Sequence, residues 1–170
     1  MTFLELAQAR FSTRKYKDTP VEKEKLEKIL SAGRIAPTAK NDQPQVIYAV
    51  TSTEGLEKLD KCTPCRFGAQ AALIVCYDKT KSWKRPHDGK EHGDIDAAIV
   101  QTHMMLQAEE LGLGTVWVCF YDPAAIITEF ELPEDIVPSS ILMVGYKAED
   151  AQPSDRHSVR KPLEETVRFV

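Results

Sequence analysis

Apolar residues recur along the chain with two periods, and the elements can be read from where one period gives way to the other. The opening TFLEL has Thr2 as a helix cap with Glu5 three residues on, the spacing of a capping box, which predicts a helix running to about Arg10. Thr19-Pro20-Val21-Glu22 combines a cap, a proline suited to the first helical position and a second capping-box glutamate. Leu26, Ile29, Leu30 and Gly33 then mark one helical face, and Pro37 ends it. Gln45 to Thr51 is rich in β-formers, Glu54 to Lys61 carries Leu56 and Leu59 at helical spacing, and Ala72 to Asp78 is a continuous apolar run of strand length. Lys79 to Gly93 is polar, with Pro86 and Asp88-Gly89, and predicts a long loop containing a short helical piece; its length favours a lid or substrate-side excursion. Asp94 is the expected cap of the next helix, Ile95 to Leu111, whose apolar residues spread beyond one stripe, so it faces either the core on several sides or another subunit; Gly112 stops it. Gly114 to Phe120 predicts a strand, Asp122-Pro123 opens a helix through Phe130, and Ser140 to Tyr146 predicts a further strand. The tail from Lys147 is polar until TVRFV, whose alternation predicts a final short strand.

Strands separated by helices would by themselves suggest a doubly wound parallel sheet. The nucleotide signature of such sheets is missing: GLGT, Gly112 to Thr115, has only two glycines and leads from helix into strand, and no Walker-type lysine motif exists. With 170 residues the expectation is one domain, residues 1–170. A net charge of -4, with both signs spread along the chain, gives no reason to expect nucleic acid or an anionic membrane as partner, so any anion site must be local. No apolar run has the length of a membrane span and MTFLELAQARF lacks the grammar of a signal peptide, which reads as a cytoplasmic protein.

Cys76 and Cys119 lie in apolar runs and read as buried thiols. Cys62-Thr-Pro-Cys65, with His87 and His92 downstream, caricatures a zinc site. The separation from Cys65 to His87 is too long for a finger, and the pair precedes a strand where a redox dithiol should follow one. An ordinary loop, with no metal, is the expectation.

In ARFSTRKY, Arg10, Ser12 and Arg14 stand on alternate positions. Guanidinium suits a phosphate because its planar fork gives two parallel charge-assisted hydrogen bonds, and a serine hydroxyl adds a neutral donor; the alternative is a connector with solvated charges. Ala36 to Thr51 places Asn41 and Gln43, amides that both donate and accept, in a proline-bounded turn before a strand. Near the end, VRKPLEE puts Arg160 before Lys161-Pro162.

Taken together and in this order, ARFSTRKY, APTAKNDQPQ, GLGTVWVCF and VRKPLEE resemble the nitroreductase family of FMN-dependent oxidoreductases, and in particular its short single-domain members, over nearly the whole chain. The resemblance implies an α+β fold with a central mixed, mainly antiparallel sheet flanked by helices, in an intertwined homodimer with FMN at the interface. It implies that Arg10 contacts the FMN phosphate, that Ser12 lies near the phosphate and ribityl chain, that Arg14 lies on the pyrimidine side of the ring, and that Phe11 is among the cofactor-binding residues. Arg160 corresponds to a second phosphate clamp, with Ser158 where relatives often carry a basic residue. Pro37, Thr38, Ala39, Asn41 and Gln43 match the segment that reaches across the dimer to the flavin of the other subunit, and Gln45 stands where relatives often have tryptophan. Val118, Cys119 and Phe120 correspond to the strand end beside the flavin N5 edge, and Arg66 is the nearest candidate for a basic group near N1 and O2. The flavin performs the chemistry, so no catalytic side chain is required. Hydride passes from NADH or NADPH to N5 and then, in a ping-pong cycle, to a nitroaromatic, quinone or similar acceptor. Two other readings stay open: a non-catalytic FMN-binding or sensory protein, and a Cys-x-x-Cys metal or dithiol protein. Trp83, Lys84, Arg85 and His87 belong either to the substrate opening or to a solvated loop pinned by Trp83. His103, Met104 and Met105 read as packing residues.

Overall fold

The capping box at the N-terminus forms as the sequence requires. In the computed structural model, which describes residues 1–170, helix α1 is Phe3–Ala9. The Glu5 N–H reaches Thr2 Oγ1 at 3.3 Å and the Thr2 N–H reaches Glu5 Oε2 at 2.6 Å. Helix α2 is Lys23–Arg34, three residues short of the expected start, with Glu22 rather than Thr19 at the cap and no side-chain capping bond. The reason lies at the far end of the chain. The Tyr146 hydroxyl donates to the Glu22 carboxylate at 2.6 and 2.7 Å and accepts from Lys25 Nζ at 2.7 Å, so the glutamate is engaged in a tertiary contact. That hydroxyl is also the main cause holding the Glu22 carboxyl below its ordinary range.

Four strands follow: β1 (Gln45–Val50), β2 (Ala71–Asp78), β3 (Gly114–Val118) and β4 (Ile136–Gly145), alternating with α3 (Thr53–Cys62), α4 (Gly93–Glu110) and α5 (Pro123–Glu129). Their order in the sheet is β1-β2-β4-β3 and every neighbouring pair is antiparallel. The mainly antiparallel α+β architecture therefore holds, and the parallel sheet that alternation alone suggests does not; helix–strand order carries no information on strand direction. A single parallel bridge, Ser12 with Thr115, lies outside the named strands.

Strand β2 is buried along its whole length because both faces are covered. Leu73 and Val75 face Leu26 and Ile29 of α2 and Val100 and Met104 of α4. Ala72, Ile74 and Cys76 face Leu56 and Leu59 of α3 and Ile126 of α5. This is why the run reads as continuous rather than alternating. Close approach of α2 to α4 depends on Gly33, where a Cβ would lie 2.8 Å from Met104 Cγ. Helix α4 buries Ala97, Val100, Met104 and Ala108, while Ile95 remains exposed, so part of its broad apolar surface is core and part is open.

Strand β4 begins at Ile136, four residues before the expected Ser140, and includes Pro138. A proline argues against a strand wherever an N–H is needed. Here β3 ends opposite Ile141, so β4 has only β2 beside it at Pro138, and the register shifts between Val75 and Cys76 to accommodate it. The Pro138 carbonyl accepts from the Tyr121 hydroxyl at 2.9 Å.

Three further expectations change. Lys79–His92 contains no helical piece but a hairpin-like excursion in which Lys84 bridges Glu91 and the Trp83 ring meets His92 edge-on at 4.7 Å. His92, not Asp94, caps α4. The tail closes in a short helix, α6 (Leu163–Thr166), and TVRFV pairs with no strand of its own chain.

Two predictions arise from these termini. Asp122 Oδ1 accepts from the N–H groups of Ala124 and Ala125 at 2.9 and 3.3 Å, with Pro123 at the first helical position. Asp122→Ala should cost about 0.5–2 kcal/mol, lowering the melting temperature by roughly 2–4 °C per kcal/mol; an unchanged thermal melt would show that the cap contributes nothing. At the end of β2, Asp78 accepts from the Thr80 hydroxyl and amide at 2.5 and 2.9 Å and faces Lys81 Nζ at 3.0 Å. These contacts, the Thr80 hydroxyl foremost, lower its carboxyl to about 2. A depressed carboxyl stabilises the fold fully above the ordinary range near ~4 and loses that contribution as the pH falls through about 2. The stability difference between wild type and Asp78→Asn, from urea titrations, should therefore be present at neutral pH and vanish toward pH 2; a difference independent of pH would refute this.

Candidate functional site

Helix α1 ends at Ala9, and Arg10 leaves it in extended conformation. The next residues run along the sheet edge: the Thr13 N–H donates to Thr115 O at 2.8 Å and the Lys17 N–H to Tyr146 O at 2.9 Å. In an extended segment alternate side chains share a side. Thr13 points inward and is fully buried, while Arg10, Ser12 and Arg14 line one cleft on the other side. Gly114 makes the approach possible, because a Cβ there would lie 2.6 Å from Thr13 Oγ1 and 2.7 Å from Lys147 Cγ.

The opposite wall comes from the end of the chain. Ser154, Arg156, His157 and Arg160 complete a cleft of about 200 Å³ with Arg10, Phe11, Ser12 and Arg14. The tail docks there through the His157 ring, whose Nε2 lies 3.0 Å from the Gln8 carbonyl, so that nitrogen carries the proton. The same ring meets Phe11 edge-on at 6.3 Å, and Lys147 Nζ lies over the Phe11 ring at 5.0 Å from its centroid. Lys147 is itself paired with Glu109 at 2.6 Å.

The charge of the cleft is one-sided. Four guanidinium groups line it, no carboxylate does, and none of the four takes part in any ion pair of the molecule. The hydrogen bonds that Arg14 and Arg160 make are local, to the carbonyls of Ser12 and Val159. Like charges held together without a counter-charge repel one another, so this arrangement is built for an anion. The volume suits a phosphate group and is too small for a tricyclic ring system, which would have to extend beyond it.

Arg10, Phe11, Ser12, Arg14 and Arg160 are thus brought together from the two ends of the chain, as the motif reading requires. Ser158 is exposed and does not line the cleft; Arg156 and His157 do, and sequence reasoning missed both. The available signal was the four-residue spacing of Arg156 and Arg160 in SDRHSVRKP.

The other candidates lie elsewhere on the single chain. Pro37, Asn41 and Gln43 are exposed, and Thr38 and Ala39 half-buried, in a turn that does not line the arginine cleft. Asp42 of that turn instead shares an open groove with Lys79–Lys84. Val118 is buried at the end of β3, and Phe120 is 73% exposed with its carbonyl held by the Thr63 hydroxyl at 2.6 Å. Cys119 is exposed, contrary to the buried thiol expected. The strand stops at Val118, and the turn into α5 puts this thiol in solvent. Arg66 is committed away from the cleft: Nε and Nη2 donate to the two carboxylate oxygens of Asp60 at 2.6 and 2.8 Å, and Nη1 donates to Ala69 O. Within the Cys-x-x-Cys stretch, Cys62 Sγ donates to Lys58 O at 3.3 Å and burial pushes its thiol up, a state poorly suited to ligation or exchange. His103 Nδ1 bonds to Ile99 O along α4 and Met104 is fully buried, as packing residues should be.

Comparison with known proteins gives a consistent picture. The nitroreductase family model matches residues 7–63 and 61–146. A crystal structure of a nitroreductase family protein from Clostridium difficile 630 superposes with a TM-score of 0.94 at 49% identity, covering 99% of this chain and 98% of the other. An FMN-dependent nitroreductase from Clostridium difficile R20291 superposes with a TM-score of 0.81 at 29% identity, over 98% of each chain. An NAD(P)H-type FMN reductase of Bacillus subtilis is 31% identical over an alignment of 169 positions that covers 89% of this chain and 65% of that protein.

Proposed function

The chain belongs to the nitroreductase family and is an oxidoreductase, and from that premise and the geometry of the arginine cleft we propose that it is an FMN-dependent NAD(P)H oxidoreductase acting as a homodimer. The observation that carries the reading is the cleft itself: four unpaired arginines and two serines, gathered from both ends of the chain, in a space of phosphate size. FMN held there would supply two-electron chemistry between NADH or NADPH and an oxidised acceptor.

Everything else is the work of this chain's residues. Arg10, Arg14, Arg156 and Arg160 neutralise the phosphate, and the Ser12 hydroxyl donates to a third oxygen. Phe11, in contact with the Lys147 ammonium and the His157 ring, lines the cleft beside them. The turn Pro37–Gln43 presents the Asn41 and Gln43 amides to the flavin of the other subunit, and the backbone at Val118, Cys119 and Phe120 borders the reacting edge. Arg66 has no part in this reading, because its fork is already filled by Asp60. With donor and acceptor using the site in turn, the cycle would be ping-pong, with nitroaromatics or quinones as the acceptor class.

The homodimer is supported by what a single chain leaves open. Phe3, Leu4, Val159, Leu163 and Phe169 are exposed, and Asp94, Ile95, Ala98, Ile99 and Thr102 of α4 line an uncovered groove. These exposed apolar side chains and the groove on α4 are surfaces that a second copy would cover. The small volume of the cleft points the same way, since the flavin ring needs a second surface. No helix is long and apolar enough to cross a membrane. We place the protein in the cytoplasm, where the nicotinamide donor is kept, as one flavin-binding unit over residues 1–170.

The test is reconstitution with FMN followed by anaerobic addition of NADH or NADPH. The expected result is one tightly bound flavin per chain whose yellow absorbance is lost on addition of the nicotinamide and returns with a quinone or nitroaromatic. Bound flavin that never bleaches would leave a flavin-binding protein without reductase activity, and a colourless protein would remove the cofactor altogether. Light scattering on the eluting protein measures whether it is a dimer.

A further inference from the structure

The turn before β1 is the most strained stretch of backbone in the molecule. Lys40, Asn41 and Gln43 have φ angles of 53°, 59° and 49°, in the left-handed region that a Cβ disfavours. Asparagine tolerates it best of the three; lysine and glutamine have no such excuse. Three such residues within four positions persist only where surrounding contacts over-determine them.

Most of the hydrogen bonds here are internal to the turn. The Asn41 N–H donates to Thr38 O and the Asp42 N–H to Ala39 O, both at 3.0 Å. The Gln43 N–H donates to Thr38 Oγ1 at 3.1 Å, and Gln43 Nε2 to Asn41 O at 3.4 Å. None of these holds the turn to the rest of the fold. One hydrogen bond ties Thr38–Gln43 to a distant part of the chain: the Ala39 N–H donates to Asp96 Oδ1 at 2.9 Å.

Asp96 is built for that task. It is 2% exposed and sits in the opening turns of α4, where the positive end of the helix dipole favours a carboxylate; its own N–H bonds to His92 O at 2.9 Å. Its second oxygen, Oδ2, is buried with no donor in the chain. Burying a carboxylate with half its capacity unused is costly, so the acceptor that remains must be worth having.

We infer that Asp96 is a positioning residue of the oxidoreductase site: by fixing Ala39 it holds Asn41 and Gln43 in the left-handed conformation in which they meet the cofactor. The inference rests on the FMN reading for what the turn touches, and on the hydrogen bond and backbone angles for what holds it.

The test compares wild type, Asp96→Asn and Asp96→Ala in three measurements: amide hydrogen exchange of the cofactor-free protein at Ala39–Gln43, FMN affinity by fluorescence titration, and the visible circular dichroism of bound FMN. Loss of the charged acceptor in Asp96→Ala should speed exchange at those amides about tenfold or more, weaken FMN by a similar factor and change the dichroism, while Asp96→Asn, which keeps an oxygen for Ala39, stays close to wild type. Adding Lys40→Gly to Asp96→Ala should recover part of the affinity, because glycine adopts the left-handed conformation freely; mere loss of core stability would show no such rescue. Should Asp96→Ala fail to fold, Asp96→Ser carries the same comparison. Native exchange at Ala39–Gln43 in a folded Ala or Ser variant overturns the assignment. Wild-type protein that binds no FMN overturns the proposed function instead, and the exchange measurement still decides whether Asp96 holds the turn.

Discussion

Replacing Arg10 and Arg160 together by alanine is expected to raise the FMN dissociation constant by roughly 10² to 10⁴, on the basis of about 1.5–3 kcal/mol for each charged hydrogen bond lost. The single variants should each lose less than half of this in free energy. With four like charges in one cleft, removing the first also relieves repulsion among the remaining three. The same reasoning gives an opposite sign for the cofactor-free protein. Arg10 donates no side-chain hydrogen bond, and Arg160 donates only to its neighbour Val159, so their loss costs the fold nothing and relieves a cluster of unpaired positive charge. The melting temperature of the apoprotein should hold or rise slightly, while the increase on adding FMN should largely disappear. A double variant that binds FMN like wild type would remove the phosphate assignment. One that lost FMN and melted lower without it would turn the arginines into structural residues.

Leu142→Ala should produce the largest loss of stability, about 2–5 kcal/mol, from the cavity left by a buried leucine. For a chain of this size that corresponds to a melting temperature lower by roughly 4–20 °C. Leu142 is fully buried in the central strand, beside Leu73 of β2 and Trp117 of β3, and packs in the same cluster as α2 and α4. Strands on both sides hold its backbone, so the surrounding core has little freedom to collapse into the space. The loss takes a large part of the 5–15 kcal/mol typical of a folded domain. Thermal and urea denaturation measure it, and a loss below about 1 kcal/mol would mean that the core relaxes around the gap.

What could be read beforehand follows from the range of each interaction. Local signals were faithful: the Thr2 and Glu5 capping box, the Asp122-Pro123 helix start and the apolar run of β2 all act within a few residues. Where a distant group intervened, the local signal failed. Tyr146 drew the Glu22 carboxylate away from the capping box expected with Thr19, and the open side of β4 made room for Pro138. Strand direction was invisible because helices of similar length can join parallel or antiparallel neighbours. For the site, the alternation of Arg10, Ser12 and Arg14 translated directly into one side of an extended segment. Arg156 and His157 were missed because a motif aligned on Arg160 assigns roles by position and directed attention to Ser158. Asp96 escaped for a different reason: nothing in DIDAAIV distinguishes a buried acceptor from a solvated first-turn acid until Ala39 is placed beside it.

The complete burial of β2 has a consequence for handling the protein. Ala71 to Tyr77 is seven residues without charge, proline or glycine, and three of them, Ile74, Val75 and Tyr77, are β-branched or aromatic. While α4 covers one face and α3 and α5 the other, the run is harmless. Once heat or denaturant lifts either cover, it becomes an adhesive segment able to pair with its counterpart in another molecule, with only Asp78 and Lys79 immediately beyond it to discourage stacking. Dilute samples will therefore refold where concentrated ones clump.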